Sequence, residues 1–293
     1  MRRLGSGGMG EVHLARDLHE SGRPVALKIL HADHVDAESL EHFRDEFRSL
    51  SHLRHPNLVE VYDFGTVAGS GEPFLALELV EGKSLDAVSA AEQRRGFVAI
   101  AAQCLRALDA IHECGWLHND LKPQNILVAP PLHVRLVDFG LAQKLASAEW
   151  VAPSGTLHYL APERLRARTP DRRSDLYSLG VVLYECLTGT RPFEGRRSGD
   201  LVGAILDQTP PAPRALFPDI PEAWDALVRR LMARSPDDRP ASAEEALALL
   251  NAGSTTPLLR DTDETFAARL HGAPLVGRER QFTALRDAVR AHP

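Results

Sequence analysis

Glycine stands at positions 5, 7, 8 and 10 within Gly5-Ser6-Gly7-Gly8-Met9-Gly10, and the strand-like run 12–15 follows at once. The GxGxxG spacing is shared by plain flexible turns and by dinucleotide folds, where the glycines open a helix. A glycine run that leads into a strand lies instead on a hairpin, where backbone N–H groups can close over a phosphate. Glycine suits such a loop because a side chain would block the close approach. The beginning of the chain is therefore constrained to a hairpin with an anion-sized turn.

Strand-like runs recur at 25–30, 58–64 and 74–80, with turn signals at Ser21-Gly22-Arg23-Pro24 and Gly69-Ser70-Gly71. Between them, residues 37–54 carry Leu40, Phe43, Phe47, Leu50 and Leu53 at helical spacing, and Pro56 closes the stretch. Past Glu81-Gly82 the pattern changes. Residues 96–114 form an alanine- and leucine-rich helical pattern, 126–128 and 135–137 are short strands, and 174–188, 222–233 and 241–251 read as helices. The expected fold is α+β in two lobes, a small strand-rich N-lobe at 1–81 and a larger helical C-lobe at 82–252, with the ligand site in the cleft. Residues 253–273, which include Ser254-Thr255-Thr256-Pro257, read as a linker with a short helix at 262–271.

The length, 293 residues, allows one large domain or two medium ones, and 44% apolar with 25% charged residues is normal for a soluble globular protein. A net charge of −6 argues against a nucleic-acid partner. No run approaches the ~18 apolar residues of a membrane span, and Met1-Arg2-Arg3-Leu4 leads into glycines rather than an apolar stretch. A cytoplasmic chain without a membrane partner is expected. Cys104, Cys114 and Cys186 form no CxxC pair and are expected to be reduced thiols. His52 and His55 are close, but no second ligand pair accompanies them.

Four further motifs follow in order: Val25-Ala26-Leu27-Lys28, His118-Asn119-Asp120-Leu121-Lys122-Pro123-Gln124-Asn125, Asp138-Phe139-Gly140 and Ala161-Pro162-Glu163. With the glycine loop they make an ordered set that resembles the protein kinase signature. The opening, from Leu4 to Asp17, resembles the bacterial serine/threonine kinases most closely, and the resemblance covers residues 1 to about 252.

Phosphoryl transfer asks a protein for placement and charge compensation more than for covalent chemistry. The resemblance implies that Lys28 holds the α- and β-phosphates of ATP and is fixed by Glu46, with Glu38, Glu41 and Asp45 as alternatives on a solvated face. It implies that Asp138 and Asn125 hold Mg²⁺ through hard oxygen ligands. Asp120 would take or orient the proton of a Ser or Thr hydroxyl on a protein substrate, and Lys122 would offset charge on the moving phosphoryl group. Leu4, Gly5, Gly7 and Gly10 would form the phosphate lid. Val12 and Ala26 would roof the adenine, Leu127 would floor it, Leu77 would be the gatekeeper, and Glu78 and Val80 would present backbone groups to its edge. The apolar residues of that set are equally compatible with simple packing. Thr156 would touch Asp120 and Lys122, Glu163 would pair with Arg239, and Asp175 would hold the catalytic-loop backbone. By the same resemblance Lys122 favours Ser/Thr over Tyr acceptors.

Asn119 departs from the pattern, because most regulated kinases have arginine there to receive a phosphate on the activation loop. Ser147, Ser154 and Thr156 are the hydroxyls of that loop, and activity is expected to depend less on phosphorylating them than in those kinases. Only four residues precede the glycine loop, so a poorly paired first strand and a loosened lid are expected. A nucleotide-sensing scaffold without catalysis is the alternative reading, and a kinase of small molecules is a third. The tail from Pro274 to Leu285 resembles the beginning of AAA-type or signal-transducing NTPase modules, although no G-x-x-x-x-G-K-[ST] occurs before Pro293.

Overall fold

The computed structural model describes residues 2–7, 10–18, 20–31, 53–138 and 157–252. The predicted 37–54 helix, apart from its last two residues, lies outside them, as do the linker and the tail.

The N-lobe is an antiparallel sheet of β1 (Arg2–Gly7), β2 (Gly10–Asp17), β3 (Arg23–Leu30), β4 (Val61–Thr66) and β5 (Pro73–Glu78), in the order β1-β2-β3-β5-β4. The expectation of a poorly paired first strand is corrected. β1 pairs with β2 from Arg2 opposite Leu14 to Gly7 opposite Gly10, with one irregularity between Arg3 and Gly5. Backbone pairing needs no particular side chains, so a short glycine-rich strand can still complete its ladder. Gly10 owes its identity to packing: a Cβ there would collide with the Ile29 carbonyl of β3. The expected strand at 58–64 begins only at Val61, because Leu58 instead makes a parallel bridge to Leu136.

That bridge joins the lobes. Val59 N–H donates to the Leu136 carbonyl at 2.9 Å, and Leu136 N–H donates to the Asn57 carbonyl at 2.8 Å. The Asn57 amide adds bonds of 2.9 Å to the Val134 carbonyl and to Gln103 Oε1. A buried asparagine with both donors engaged stabilises such a crossing, whereas one left unpaired would cost about 1–3 kcal/mol.

The C-lobe opens with β6 (Lys83–Ser84), then α1 (Ala90–Arg95) and α2 (Phe97–Glu113). Ser89 and Glu92 form a capping box that starts α1. β6 pairs with β7 (Ile126–Ala129), and β7 pairs with β8 (His133–Leu136). The remaining helices are α3 (Pro162–Leu165), α4 (Arg172–Thr188), α5 (Ser198–Asp207), α6 (Pro213–Leu216), α7 (Glu222–Leu231) and α8 (Ala243–Ala252). α4 is buried on all sides from Ser174 to Tyr184, which makes it the axis of the lobe. Its N-terminus is capped by Asp171, and Gly189 closes the other end at φ 73°. Phe97 stacks on Trp224 at 4.7 Å between ring centroids and joins α2 to α7.

Cys104 and Cys186 are buried, Cys114 is exposed, and none is in a disulfide. Among the described residues no helix is long and apolar enough to cross a membrane.

Candidate active site

Strand register sets which candidate residues share a face of the N-lobe sheet. Val12 is opposite Lys28 and Leu14 opposite Ala26. Ala26 is opposite Leu77 and Lys28 opposite Leu75. Cross-strand partners share a face, and so do residues two apart. Val12, Ala26, Lys28 and Leu77 therefore stand on one face of the sheet, which brings together four of the residues predicted to meet ATP. Leu77 is buried, Ala26 and Val80 are partly buried against the core, and Leu127 is on β7 below. Leu4 lies at the β1 irregularity and is 44% exposed, and Gly5 has open space beside it.

Glu78 has a role beyond its backbone. Its N–H donates to the Glu60 carbonyl at 2.8 Å, and its carboxylate lies 3.2 Å from Arg135 of β8. Arg135 also donates to the Leu58 carbonyl. The segment between the lobes is thereby tied on both sides.

Lys28 Nζ is 2.8 Å from Asp138 Oδ1, and the lysine is only 7% exposed. Burial pushes the Asp138 carboxyl up, but Lys28 first, with His118 and Lys122, holds it below the usual carboxylate range. Asp138 has φ 60°. A non-glycine residue in that region is strained by about 1–3 kcal/mol and is held there by its surroundings. Glu46, the predicted partner of Lys28, lies outside the described residues, as do Phe139, Gly140 and Thr156.

Below them, Asp120 Oδ2 accepts from Lys122 Nζ at 2.7 Å and from Asn125 Nδ2 at 2.9 Å. Asn125 Nδ2 also donates to the Asp120 carbonyl at 2.7 Å. Asp120 Oδ1 is buried with no hydrogen-bond partner among the described residues. An unpaired buried carboxylate oxygen is costly unless a donor arrives from outside. The asparagine amide spends its donor group on Asp120, which leaves its oxygen as an acceptor.

The loop is held by Asp175 of α4, as the sequence predicts. Its carboxylate accepts from the backbone N–H of His118 and of Asn119, both at 2.8 Å, and lies 2.9 Å from His112 Nε2. Burial raises the Asp175 carboxyl, and these donors, His112 first, bring it below its ordinary value. His118 is fully buried, and burial lowers its pKa while Asp175, Asp120 and Asp138 act in the other direction. The predicted Glu163–Arg239 pair is present with two bonds of 2.8 Å, and Ser174 Oγ adds one of 2.6 Å to Glu163.

Arg164 was missed by the sequence reading. Its guanidinium donates to the Asn119 carbonyl, next to Asp120. Nothing in its spacing marks it, since it merely follows Pro162-Glu163. His112 was missed too, being one of five polar residues on α2 with nothing in its spacing to single it out.

Among the described residues no group of three or more His, Cys, Asp or Glu side chains is arranged to hold a metal. Mg²⁺ asks for less, one or two carboxylates plus substrate phosphates. Asp138 follows Val137, whose N–H donates to the Asn125 carbonyl at 3.0 Å, so Asp138 and Asn125 are close in the fold and their side-chain oxygens fit that requirement.

The sequence matches the protein kinase domain family over residues 1–249. Among similar curated proteins, the serine/threonine-protein kinase PknH of Mycobacterium bovis is 40% identical over 278 residues, 91% of this chain and 45% of its own length. A probable serine/threonine-protein kinase PknB of Bifidobacterium longum is 37% identical over 258 residues, 83% of this chain and 37% of its own. The serine/threonine-protein kinase pkn3 of Myxococcus xanthus is 38% identical over 268 residues, 85% and 48%. The chain thus spans less than half the length of these relatives. Together with the two-lobed fold and the ordered motifs, the match is decisive: the chain belongs to the protein kinase domain family.

Proposed function

We propose that this chain transfers the γ-phosphate of ATP to Ser or Thr hydroxyls of a protein substrate, itself included. The observation that carries the reading is the Asp120 carboxylate, with Oδ2 held by Lys122 and Asn125 and Oδ1 without a hydrogen-bond partner among the described residues. A substrate hydroxyl bonded to Oδ1 would give its proton to Asp120 as its oxygen bonds to the γ-phosphorus and ADP leaves. Lys122 stands beside the same carboxylate, placed to offset charge on the phosphoryl oxygens. Lys28 would hold the α- and β-phosphates, and Val12, Ala26, Leu77, Leu127 and the Glu78–Val80 backbone would take the adenine. Leu4, Gly5, Gly7 and Gly10 would close over the phosphates. Mg²⁺ held by Asp138 and Asn125 would supply positive charge to the phosphates. Glu46 completes the proposal as the partner of Lys28, and Thr156 as a contact of Asp120 and Lys122.

We place the kinase domain at 1–252, a linker at 253–273 and the beginning of an NTPase module at 274–293. A cytoplasmic location fits this reading. The test is phosphate transfer to a basic protein substrate, wild type against Asp120→Asn. Transfer lost in the variant supports the proposal. ATP binding without transfer in the wild type would point to the nucleotide-sensing scaffold.

A further inference from the structure

The backbone just before Asp120 is unusual. Asp120 N–H donates to the His118 carbonyl at 2.9 Å, a bond that spans the single residue Asn119, whose φ is 63°. A bond from residue i+2 back to i with positive φ at the centre is the strained form of γ-turn. Asparagine tolerates this region better than most residues, which gives position 119 a conformational role in this chain. Strain of this kind persists only where the surroundings over-determine it.

Two side chains do so. The Asn119 N–H is held by Asp175 of α4, and the Asn119 carbonyl by Arg164 of α3. The peptide that joins Asn119 to Asp120 is therefore pinned by a cation, and its orientation sets where the Asp120 carboxylate points. Arg164 is partly buried, and α3 is itself anchored by the Glu163–Arg239 pair. Burial draws the Arg164 pKa down, while Asp175, Asp120 and Glu163 act in the other direction. A guanidinium keeps its charge in such a place.

We infer that Arg164 is a positioning residue for catalysis: from α3 it clamps the Asn119 carbonyl and holds the strained turn that aims Asp120 at the acceptor hydroxyl. The inference rests on the reading of Asp120 as the proton acceptor. It also gives position 119 a cation after all, one delivered by another element and surrounded by the chain's own carboxylates.

The test compares wild type, Arg164→Met and Arg164→Lys. Each is measured for kcat, for KM toward Mg-ATP, for thermal midpoint and for active sites counted by stoichiometric nucleotide binding. One charge-assisted hydrogen bond implies a kcat loss of roughly 10- to 100-fold in Arg164→Met. KM for Mg-ATP should stay within about twofold, because neither Arg164 nor Asn119 is among the residues proposed to hold the nucleotide. Arg164→Lys should recover part of the loss. An active wild type whose Arg164→Met variant keeps its kcat per nucleotide site overturns this inference alone. A loss that follows the count of folded sites, with no recovery in Arg164→Lys, also overturns it by making the role merely structural. A wild type that binds Mg-ATP yet transfers no phosphate overturns the kinase reading, and the inference with it.

Discussion

Lys122 Nζ lies 2.7 Å from Asp120 Oδ2, while Asp120 Oδ1 is buried and without a partner among the described residues. One carboxylate thus has a saturated oxygen and an open one, the arrangement a proton acceptor needs if its orientation is to be fixed while its reactive atom stays available. Asp120→Asn should lower kcat by roughly 10²- to 10⁴-fold with little change in nucleotide affinity. Lys122→Ala should cost roughly 10²- to 10³-fold. Steady-state kinetics beside a nucleotide titration separates the two effects, and an Asp120→Asn variant with normal kcat would contradict the assignment.

The Lys28–Asp138 pair makes a different prediction. Lys28→Met removes the cation that holds the Asp138 carboxyl low, so the carboxyl should rise toward or above its ordinary range. Phosphate placement and metal affinity should fail together, and kcat/KM should drop by at least roughly 100-fold. Mg²⁺ dependence of the residual rate is the informative readout: the variant should need more Mg²⁺ than wild type for half-maximal activity.

Glu163 and Arg239 are both almost wholly buried. Breaking one side of a buried pair leaves an uncompensated charge, so Arg239→Met should destabilise the chain by about 3–5 kcal/mol in urea unfolding. The double variant Glu163→Gln/Arg239→Met should recover part of that loss. Equal stability of wild type and Arg239→Met would show that the pair does not hold α3.

Acid should attack the same framework. Glu163 and Asp175 both have carboxyl pKa values below the ordinary range, because donors outweigh the effect of burial. A group depressed in the folded state contributes stability that is full above its unfolded pKa, about 4 for these side chains, and is lost as pH falls through the folded value. The thermal midpoint should therefore change little on these two accounts between about pH 5 and 7, and should fall below about pH 4. Glu163→Gln should show a shallower acid limb than wild type.

The cation at the Asn119 carbonyl is Arg164, supplied by the chain itself. Replacing Ser147 and Ser154 by alanine should then leave most activity in place. Near-complete loss in the double variant would return control to the activation loop.

The motifs, read in order, named candidate residues on elements whose type the local pattern announces: Lys28 on an apolar strand, Asn125 just before a strand, Asp175 within a buried helix. Element boundaries were less legible. Leu58 looked like strand from its neighbours, yet it bridges to Leu136 in the other lobe, a pairing 78 residues away that no local window contains. α1, α3 and α6, six residues or fewer each, carry too few turns to show a period, and the ten-residue α5 was also passed over. Arg164 was invisible for the same kind of reason: its meaning comes from a carbonyl 45 residues earlier. The short lead before the glycine loop suggested weak pairing, but strand pairing depends on backbone groups that composition does not report.

The central claim is phosphate transfer through Asp120 and Asp138. Intact-mass spectrometry after incubation with Mg-ATP and a basic protein substrate tests it most directly, with Asp138→Asn beside the wild type. The account predicts mass steps of one phosphate on substrate or kinase for the wild type and none for the variant. No phosphate on either protein, with nucleotide binding intact by thermal shift, would contradict it.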